Sequence, residues 1–214
     1  MSEPAELFEA IVSGNARKAE EVTKAALEAN ADPTELLGKY MIPAMDEVGK
    51  RFECNEYFVP ELLIAARAMK TALQLLTPKL AEIGAKKTGR VVIGTVQGDL
   101  HDIGKNLVSS MLEGGGFEVV DLGVDVPPDK FVEAAREADG TIVAMSALLT
   151  TTMTQMKNVV QALERSGLRA KTKVIIGGAP ITQQYADEIG ADGYSDNASG
   201  AVALARKLVT PLAA

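Results

Sequence analysis

The sequence predicts an α/β protein in which an amino-terminal helical bundle precedes an open, doubly wound parallel sheet. Up to about Gly84, apolar residues recur at helical spacing and no strand pattern occurs. From Arg90 onward, short β-rich runs alternate with helical segments, which is typical of parallel strands joined by helices. Between these parts, residues 85–89 are polar and without periodicity. We therefore assign residues 1–84 to a four-helix cap, 85–89 to a linker and 90–214 to an α/β domain.

The cap is predicted to contain four helices. Asp32, Pro33 and Glu35 form a strong start signal for the third, with an N-cap acid, Pro at the first helical position and a Glu three residues after the cap. Short connections favour an antiparallel bundle. The predicted inward positions are Leu7, Phe8, Ile11 and Val12; Ala19, Val22, Ala26 and Ala29; Leu37, Met41, Ala44 and Val48; and Leu62, Ala66, Met69, Leu73, Leu76 and Leu80.

The α/β part is predicted to contain five strands, with a helix after each. Pro128 suits a helix start, and Gly167 and Gly190 suit helix ends. This order predicts a flavodoxin-like or Rossmann-like sheet. The predicted strands are 90–95, 117–121, 141–146, 173–177 and 192–194, and the predicted helices are 102–113, 129–138, 152–166, 181–189 and 198–209.

Composition narrows the function classes. The net charge of −7 argues against nucleic acid and against an anionic membrane surface as partners. The sequence shows neither an apolar run of membrane-spanning length nor a signal peptide, so we expect a soluble, cytoplasmic protein. With one Cys and one His, the chain can form neither an internal disulfide nor a His/Cys zinc site. Any metal would have to arrive inside a cofactor.

The loop after the first predicted strand carries the chain's single histidine. Asp99 precedes His101 by two residues, and a carboxylate that holds one ring nitrogen leaves the other free as a base or a metal ligand. The alternative is an ordinary helix start, at which Asp99 or Asp102 caps the helix. Gly98 and Gly104 bracket the loop, with Gly94 before them, which favours a close ligand. The spacing is not that of a phosphate loop.

Three further strand ends carry small or polar residues: 146–152, 177–180 and 193–195. Each alone is compatible with ordinary loop and capping chemistry. All of them are predicted at the same edge of the sheet as His101, where ligands bind in open α/β sheets. Their convergence favours a ligand site at this edge.

These residues resemble a known family. The pattern Asp99-x-His101-x-x-Gly104, followed by Ser146-x-Leu148 and Gly177-Gly178, is similar to that of cobalamin-binding domains that hold the cofactor base-off with a protein His on cobalt. The segments Glu56–Glu61 and Ala65–Lys70 resemble the helical cap of methionine synthase. The likeness covers nearly the whole chain, from the second helix to the last.

The resemblance implies roles for individual residues. His101 would be the lower cobalt ligand, Asp99 would accept a hydrogen bond from its other ring nitrogen, and Thr152 would take the place of a relay Ser. Phe58 and Leu62 would cover the upper face of the corrin. Ser146, Leu148 and Thr150 would line the slot for the nucleotide tail, and Gly94, Gly104, Gly177, Gly178 and Ala179 would let it pass. We also assign Gly98, Asp102, Ile103 and Tyr194 to cofactor binding.

The chain is similar to stand-alone corrinoid proteins of methyltransferase systems. The resemblance implies a methyl carrier that is not active alone. Its implied partners are a substrate-specific corrinoid methyltransferase, a second methyltransferase that uses tetrahydrofolate or coenzyme M, and a reductive activator. A cobalamin-dependent regulator is the main alternative, although such proteins usually carry a DNA-binding segment and no basic helix occurs here. A mutase subunit would need a barrel, and a cofactor-free flavodoxin-like signalling domain would leave the cap unexplained.

Overall fold

A computed structural model of the chain describes residues 5–84, 88–138 and 140–209. The chain divides into two compact units, Met1–Lys87 with Glu113–Gly116, and Thr88–Leu112 with Phe117–Ala214. Residues 85–87 of the predicted linker, which include Lys86 and Lys87, lie outside the described residues. In the part of the chain that the structure describes, every helix is too short or too polar to cross a bilayer.

The first unit contains the predicted helices. Asn15 caps α2 by accepting the backbone N–H of Lys18, and Asp32 accepts that of Thr34. Helix α5 packs against α2 and α4, and its buried row includes Leu62 and Met69. The helices are α1 (Ala5–Val12), α2 (Ala16–Glu28), α3 (Pro33–Glu35), α4 (Ile42–Glu53) and α5 (Val59–Glu82).

A π-helical turn, Leu36–Met41, joins α3 to α4 and changes the predicted register. The N–H of Ile42 bonds to the carbonyl of Leu37, five residues back, just before Pro43, which has no N–H to donate. The wider turn fully buries Leu36 together with Met41, whereas Leu37, which was predicted inward, is only partly buried. Ala29 was also predicted inward and is exposed, because α2 ends at Glu28.

The second unit is the predicted parallel sheet. Its strand order is β2-β1-β3-β4-β5, the flavodoxin-like order, which confirms the predicted fold class. Gly190 ends α9 in the left-handed conformation, as predicted. The elements are β1 (Arg90–Thr95), α6 (Ile103–Gly114), β2 (Glu118–Asp121), α7 (Pro128–Ala135), β3 (Ile142–Ser146), α8 (Thr150–Arg165), β4 (Lys173–Gly177), α9 (Gln183–Ile189), β5 (Gly193–Tyr194) and α10 (Ala198–Val209).

The strand register brings the predicted loops to one edge. Thr95 of β1 pairs with Ser146 of β3, which pairs with Gly177 of β4, so these strands end side by side. The chain leaves β1 toward α6 and leaves β3 toward α8, and the strand order reverses between these neighbours. Such a switch point opens a crevice at the carboxyl edge of a sheet. His101 lies on the β1–α6 loop that borders it, and Thr152 lies in the first turn of α8, just after the β3–α8 loop.

Candidate functional site

The centre of the site is the Asp99 carboxylate, which has no solvent-exposed surface. Its Oδ1 atom accepts hydrogen bonds from the backbone N–H of His101 at 3.1 Å and from the Nδ1 atom of that ring at 2.8 Å. Its Oδ2 atom accepts from the Thr152 hydroxyl at 2.6 Å and from the backbone N–H groups of Leu148 at 2.9 Å and Leu149 at 3.3 Å. Asp99 therefore ties the β1–α6 loop to the β3–α8 loop.

These hydrogen bonds determine the charge of Asp99. Burial alone raises the pKa of a carboxyl group, because it removes water from the charged form. The bonds from Thr152, from the Leu148 N–H and from His101 outweigh burial and hold the pKa of Asp99 well below its usual range. Asp99 is therefore ionised at neutral pH.

The Asp99 carboxylate sets the state of the His101 ring. An ionised carboxylate only accepts hydrogen bonds, so the hydrogen at 2.8 Å belongs to Nδ1 of the imidazole. In the neutral ring Nε2 then carries the lone pair, and the side chain is 51% exposed. The Thr95 hydroxyl also donates to the His101 carbonyl at 2.9 Å, which holds the backbone beneath the ring. The geometry presents one fixed ring nitrogen to a ligand.

Asp102 and Asp99 differ in what they bind. Asp102 lies just before α6 and accepts from the side chain of Asn106 at 3.0 Å, while its carbonyl accepts from the Asn106 N–H. Asp102 thus behaves as an ordinary residue of a helix start. Asp99 bonds instead to His101 and to the β3–α8 loop, which goes beyond the capping alternative.

Exposed apolar side chains accompany His101 on these loops. Leu100 is 70% and Ile103 is 82% exposed, and Leu148 and Leu149 are also exposed. We call these four residues the apolar rim. Large exposed apolar side chains on neighbouring loops at one edge of a sheet favour a ligand or protein contact there. The rim suits a broad apolar ligand whose polar atom meets His101.

The glycines of the second unit fall into different groups. A Cβ on Gly178, whose φ is +133°, would lie 1.9 Å from the carbonyl oxygen of Ala147. A Cβ on Gly94 would meet the Phe131 ring at 2.9 Å, so the space at Gly94 is filled by the core. A Cβ on Gly104 would meet nothing within 4 Å. Gly104 therefore borders open space, whereas Gly178 permits close packing of two loops.

The remaining predicted residues of this unit lie at the expected edge. Ser146 ends β3, Thr150 begins α8 and is exposed, and Ala179 is exposed after β4. A Cβ on Gly177 would meet the Ser195 carbonyl at 3.0 Å. Gly98 has a φ of +81°, and Tyr194 is partly buried against the core under α7, α8 and α9. Their contacts with a cofactor stay predictions.

The two predicted cap residues differ in exposure. Phe58, at the N-cap of α5, is 61% exposed, as expected for a shielding residue. Leu62 is fully buried in the helical row with Ala65 and Met69. The structure therefore does not place Leu62 on an exposed surface. The large exposed apolar side chains at this end of α5 are Phe58, Val59, Leu63 and Ile64.

Family comparison agrees with this geometry. A model described as "B12 binding domain" matches residues 89–203, and a second model with the same description matches residues 5–77. The chain belongs to the B12-binding corrinoid protein family. The cofactor of this protein is therefore a corrinoid.

Relatives in this family span the same length. The dimethylamine corrinoid protein 3 of Methanosarcina acetivorans is 45% identical over 204 residues, which cover 95% of each chain. A cobalamin-binding protein from Desulfitobacterium hafniense has a TM-score of 0.80 and 36% identity, covering 97% of this chain and 99% of that one. The methanol:cobalamin methyltransferase complex of Methanosarcina barkeri has a TM-score of 0.83 and 29% identity, and the match covers 96% of this chain and 79% of that one.

The corrinoid site can be tested for fit against the residues present. A corrinoid offers a broad, partly apolar ring with a metal at its centre, which a side-chain donor atom could ligate. The free Nε2 of His101, held through Nδ1 and surrounded in sequence by the apolar rim, provides this chemistry. The open space at Gly104 leaves the approach clear. These residues fit the cofactor.

Sequence reasoning missed two contributors to the site. The backbone N–H of Leu149 binds Asp99 beside that of Leu148, and only the loop conformation reveals it. Asp125, on the loop after β2, accepts the backbone N–H of Gly98 at 2.7 Å. An Asp in a short Gly- and Pro-containing loop was the available signal for Asp125, since such residues favour turns, and the structure gives it a φ of +54°.

Proposed function

We propose that this protein carries a methyl group on a corrinoid between two methyltransferases, with His101 as the lower ligand of cobalt. The observation that carries the proposal is the Asp99–His101 pair, which holds Nδ1 at 2.8 Å and leaves Nε2 free. The bound corrinoid supplies a cobalt atom that can accept and donate a methyl group. The fold supplies ligand control and solvent exclusion around it.

Asp99 has two tasks in this proposal. It fixes the ring orientation and the tautomer of His101, as outer carboxylates do for metal-bound histidines. When His101 is not a ligand, its Nε2 can hold a proton, and the ionised Asp99 then balances the imidazolium charge. Thr152 and the Leu148 N–H occupy Oδ2, so this oxygen of Asp99 is engaged as an acceptor on the side away from His101.

The exposed end of α5 supports the solvent-shielding part of the proposal. Phe58, Val59 and Leu63 present large apolar surface there. We propose that they exclude water from the upper face of the corrin, and that this cover withdraws when a methyltransferase binds. This proposal keeps the predicted division of the chain into a cap (1–84), a linker (85–89) and an α/β domain (90–214).

The names of the relatives suggest the donor class. One relative, aligned along nearly its whole length, is named for dimethylamine, and a structural neighbour is a methanol:cobalamin methyltransferase complex. We propose a methylated amine as the donor and a corrinoid methyltransferase as the first partner. A second methyltransferase, which uses tetrahydrofolate or coenzyme M, and a reductive activator complete the proposed set.

Reconstitution with methylcobalamin tests His101. The parent should bind about one cofactor per chain and show the longer-wavelength visible band of an imidazole-ligated corrinoid. His101→Ala should retain the fold and part of the affinity but lose that band. A parent spectrum without imidazole ligation contradicts the His101 assignment.

Donor specificity requires a second experiment. The reduced holoprotein is mixed with candidate methyltransferases and with methylamines, methanol or glycine betaine, and methylation is followed in the visible spectrum. We expect methylation from a methylated amine. Methylation only from methanol or betaine would contradict the donor assignment and leave the carrier proposal standing.

A further inference from the structure

Asp125 forms two hydrogen bonds with the backbone of Gly98 and Asp99. It lies on the loop after β2, which has no part in the proposed function. Its Oδ1 atom accepts the N–H of Gly98 at 2.7 Å, and its own N–H donates to the Asp99 carbonyl at 3.0 Å. These two bonds hold the peptide groups on either side of Gly98 and Asp99. Asp99 is therefore held through its backbone by Asp125 and through its carboxylate by His101, Thr152 and the 148–149 amides.

The backbone has a positive φ at both residues that these hydrogen bonds join, Asp125 and Gly98. Asp125 has a φ of +54° and Gly98 a φ of +81°. Left-handed conformations are disfavoured for side chains with a Cβ, although Asp and Asn adopt them more readily than most. The two bonds of Asp125, which we call the Asp125 clamp, depend on this conformation. A positive φ at Asp125 turns its N–H and its carboxylate toward the same loop. A local cost at Asp125 is thus offset by bonds to the Asp99 turn.

The loop that carries Asp125 is itself fixed to the sheet. The Thr95 N–H donates to the Gly123 carbonyl and the Val126 N–H donates to the Thr95 carbonyl, both at 3.0 Å. Val126 also forms a parallel bridge with Val96. Residues 122–126 therefore continue the pairing of β1 beyond the end of β2, and Asp125 projects from a rigid base.

We propose that Asp125 is a positioning residue for His101, acting through Gly98 and Asp99. The inference rests on the proposed role of His101 as cobalt ligand. A shift of the Asp99 backbone would move the carboxylate that orients Nδ1, and with it the direction of Nε2. Outer groups that orient a ligating histidine typically contribute 10-fold to 100-fold to metal affinity.

Two substitutions separate the parts of the clamp. Asp125→Gly removes the acceptor but keeps the left-handed backbone and the N–H bond to Asp99. Asp125→Asn keeps both an acceptor oxygen and the backbone preference. Asp32→Gly is the matched control, because Asp32 is likewise exposed and accepts a backbone N–H, that of Thr34, at 2.8 Å in the other unit.

The readouts use both apoprotein and holoprotein. In the apoprotein, hydrogen exchange at the Gly98 amide should accelerate in Asp125→Gly and remain slow in Asp125→Asn. In the protein loaded with methylcobalamin, Asp125→Gly should lower the imidazole-ligated fraction and raise the Kd about tenfold. Asp125→Asn should restore both values to near those of the parent, and Asp32→Gly should leave them unchanged.

The outcomes distinguish the two proposals. If the parent shows imidazole ligation and Asp125→Gly keeps the parental ligated fraction and Kd while losing only stability, Asp125 is structural and the inference is overturned. If the parent itself lacks imidazole ligation, the His101 assignment fails first and the inference fails with it. If Asp125→Asn behaves like Asp125→Gly, the acceptor oxygen is not the operative group and the inference is overturned.

Discussion

The hydroxyl oxygen of Thr152, in the first turn of α8, lies 2.6 Å from Oδ2 of Asp99, which precedes it by 53 residues in the β1–α6 loop. Thr152 stands where the resemblance implies a Ser, from which it differs by one methyl group. The structure accommodates the additional methyl group, whose Cγ2 would lie 3.6 Å from a Cβ on Gly98. The Thr152 methyl group therefore does not prevent the hydrogen bond to Asp99.

Removing the Thr152 hydroxyl should weaken the Asp99 cluster. Thr152→Val keeps the shape but leaves Oδ2 of the buried carboxylate without its shortest hydrogen bond. We expect the free energy of unfolding to fall by about 2 kcal/mol, a typical value for a hydrogen bond to a charged group. Urea denaturation of the apoprotein measures this. Thr152→Ser is the control and should lose less than half as much, since it keeps the hydroxyl.

The stability contributed by Asp99 should depend on pH with a defined sign. The folded-state pKa of Asp99 is lowered, and the unfolded-state value is about 3.9. A lowered folded pKa stabilises the protein above the unfolded pKa, and this contribution is lost as the pH falls below about 4. Asp99→Asn should therefore be destabilised by about 2–3 kcal/mol at neutral pH, with the difference shrinking in acid.

Unfolding free energies of the parent and Asp99→Asn across this pH range provide the measurement. Asp32→Asn, at an exposed helix cap, serves as the control and should show a small difference. A gap between parent and Asp99→Asn that stays constant down to about pH 3 would show that ionisation of Asp99 does not stabilise the fold.

Gly178 and Gly104 should respond differently to a side chain. Gly178→Ala places a Cβ 1.9 Å from the Ala147 carbonyl in a backbone that L residues avoid, so we expect a loss of at least about 3 kcal/mol. Gly104→Leu meets open space and should change stability by less than about 1 kcal/mol. If Gly104 borders the corrinoid, the Leu variant should raise the Kd at least tenfold, as measured by absorbance titration.

The Gly104 variant also tests the site. Gly123→Leu is unsuitable as a control because of its positive φ, whereas Gly38→Leu also meets nothing within 4 Å and lies in the first unit. Parental affinity in Gly104→Leu would place the corrinoid away from the start of α6.

Much of the architecture follows from sequence periodicity. The spacing of apolar residues predicts the order of strands and helices. Because the strands are parallel, this order also places the loops after Thr95, Ser146 and Gly177 at one edge of the sheet. The π-helical turn before Pro43 was missed, because an added residue in one turn leaves no periodic trace. The burial of Leu62 was predicted from its place in the apolar row of the fourth helix and is confirmed. The resemblance also assigned Leu62 to the corrin face, and apolar residues on more than one side of the first turns of α5 do not distinguish the two roles.

The hydrogen bonds of the site were harder to predict than its side chains. Asp99 and His101 are marked by residue type and spacing. The Leu148 and Leu149 amides are backbone donors that every non-proline residue carries, so sequence cannot single them out. Asp125 reaches the site from a third loop, and only the pairing of residues 122–126 with β1 brings it there.

Alanine substitutions at Phe58 and Leu62 should distinguish a residue that shields the corrin from one that packs in the helical core. Phe58→Ala removes an exposed ring and should lower stability by less than about 1 kcal/mol, whereas Leu62→Ala empties a core position and should cost about 2–5 kcal/mol. If Phe58 covers the corrin, bound methylcobalamin should photolyse faster in Phe58→Ala. The folded fraction of Leu62→Ala should photolyse at the parental rate. Equal photolysis rates in the parent and Phe58→Ala would assign Phe58 to another role.

The last prediction distinguishes a carrier from a self-sufficient enzyme. The sequence has one His and one Cys, which cannot assemble a His/Cys zinc site for activating a thiol acceptor. We therefore expect the reduced holoprotein to show no steady-state methyl transfer from donor to acceptor. Adding the two cognate methyltransferases should start turnover, and His101→Ala should lower that turnover without unfolding the protein. Sustained turnover by the isolated holoprotein would contradict the carrier proposal, because it would require a donor site and an acceptor site within this chain.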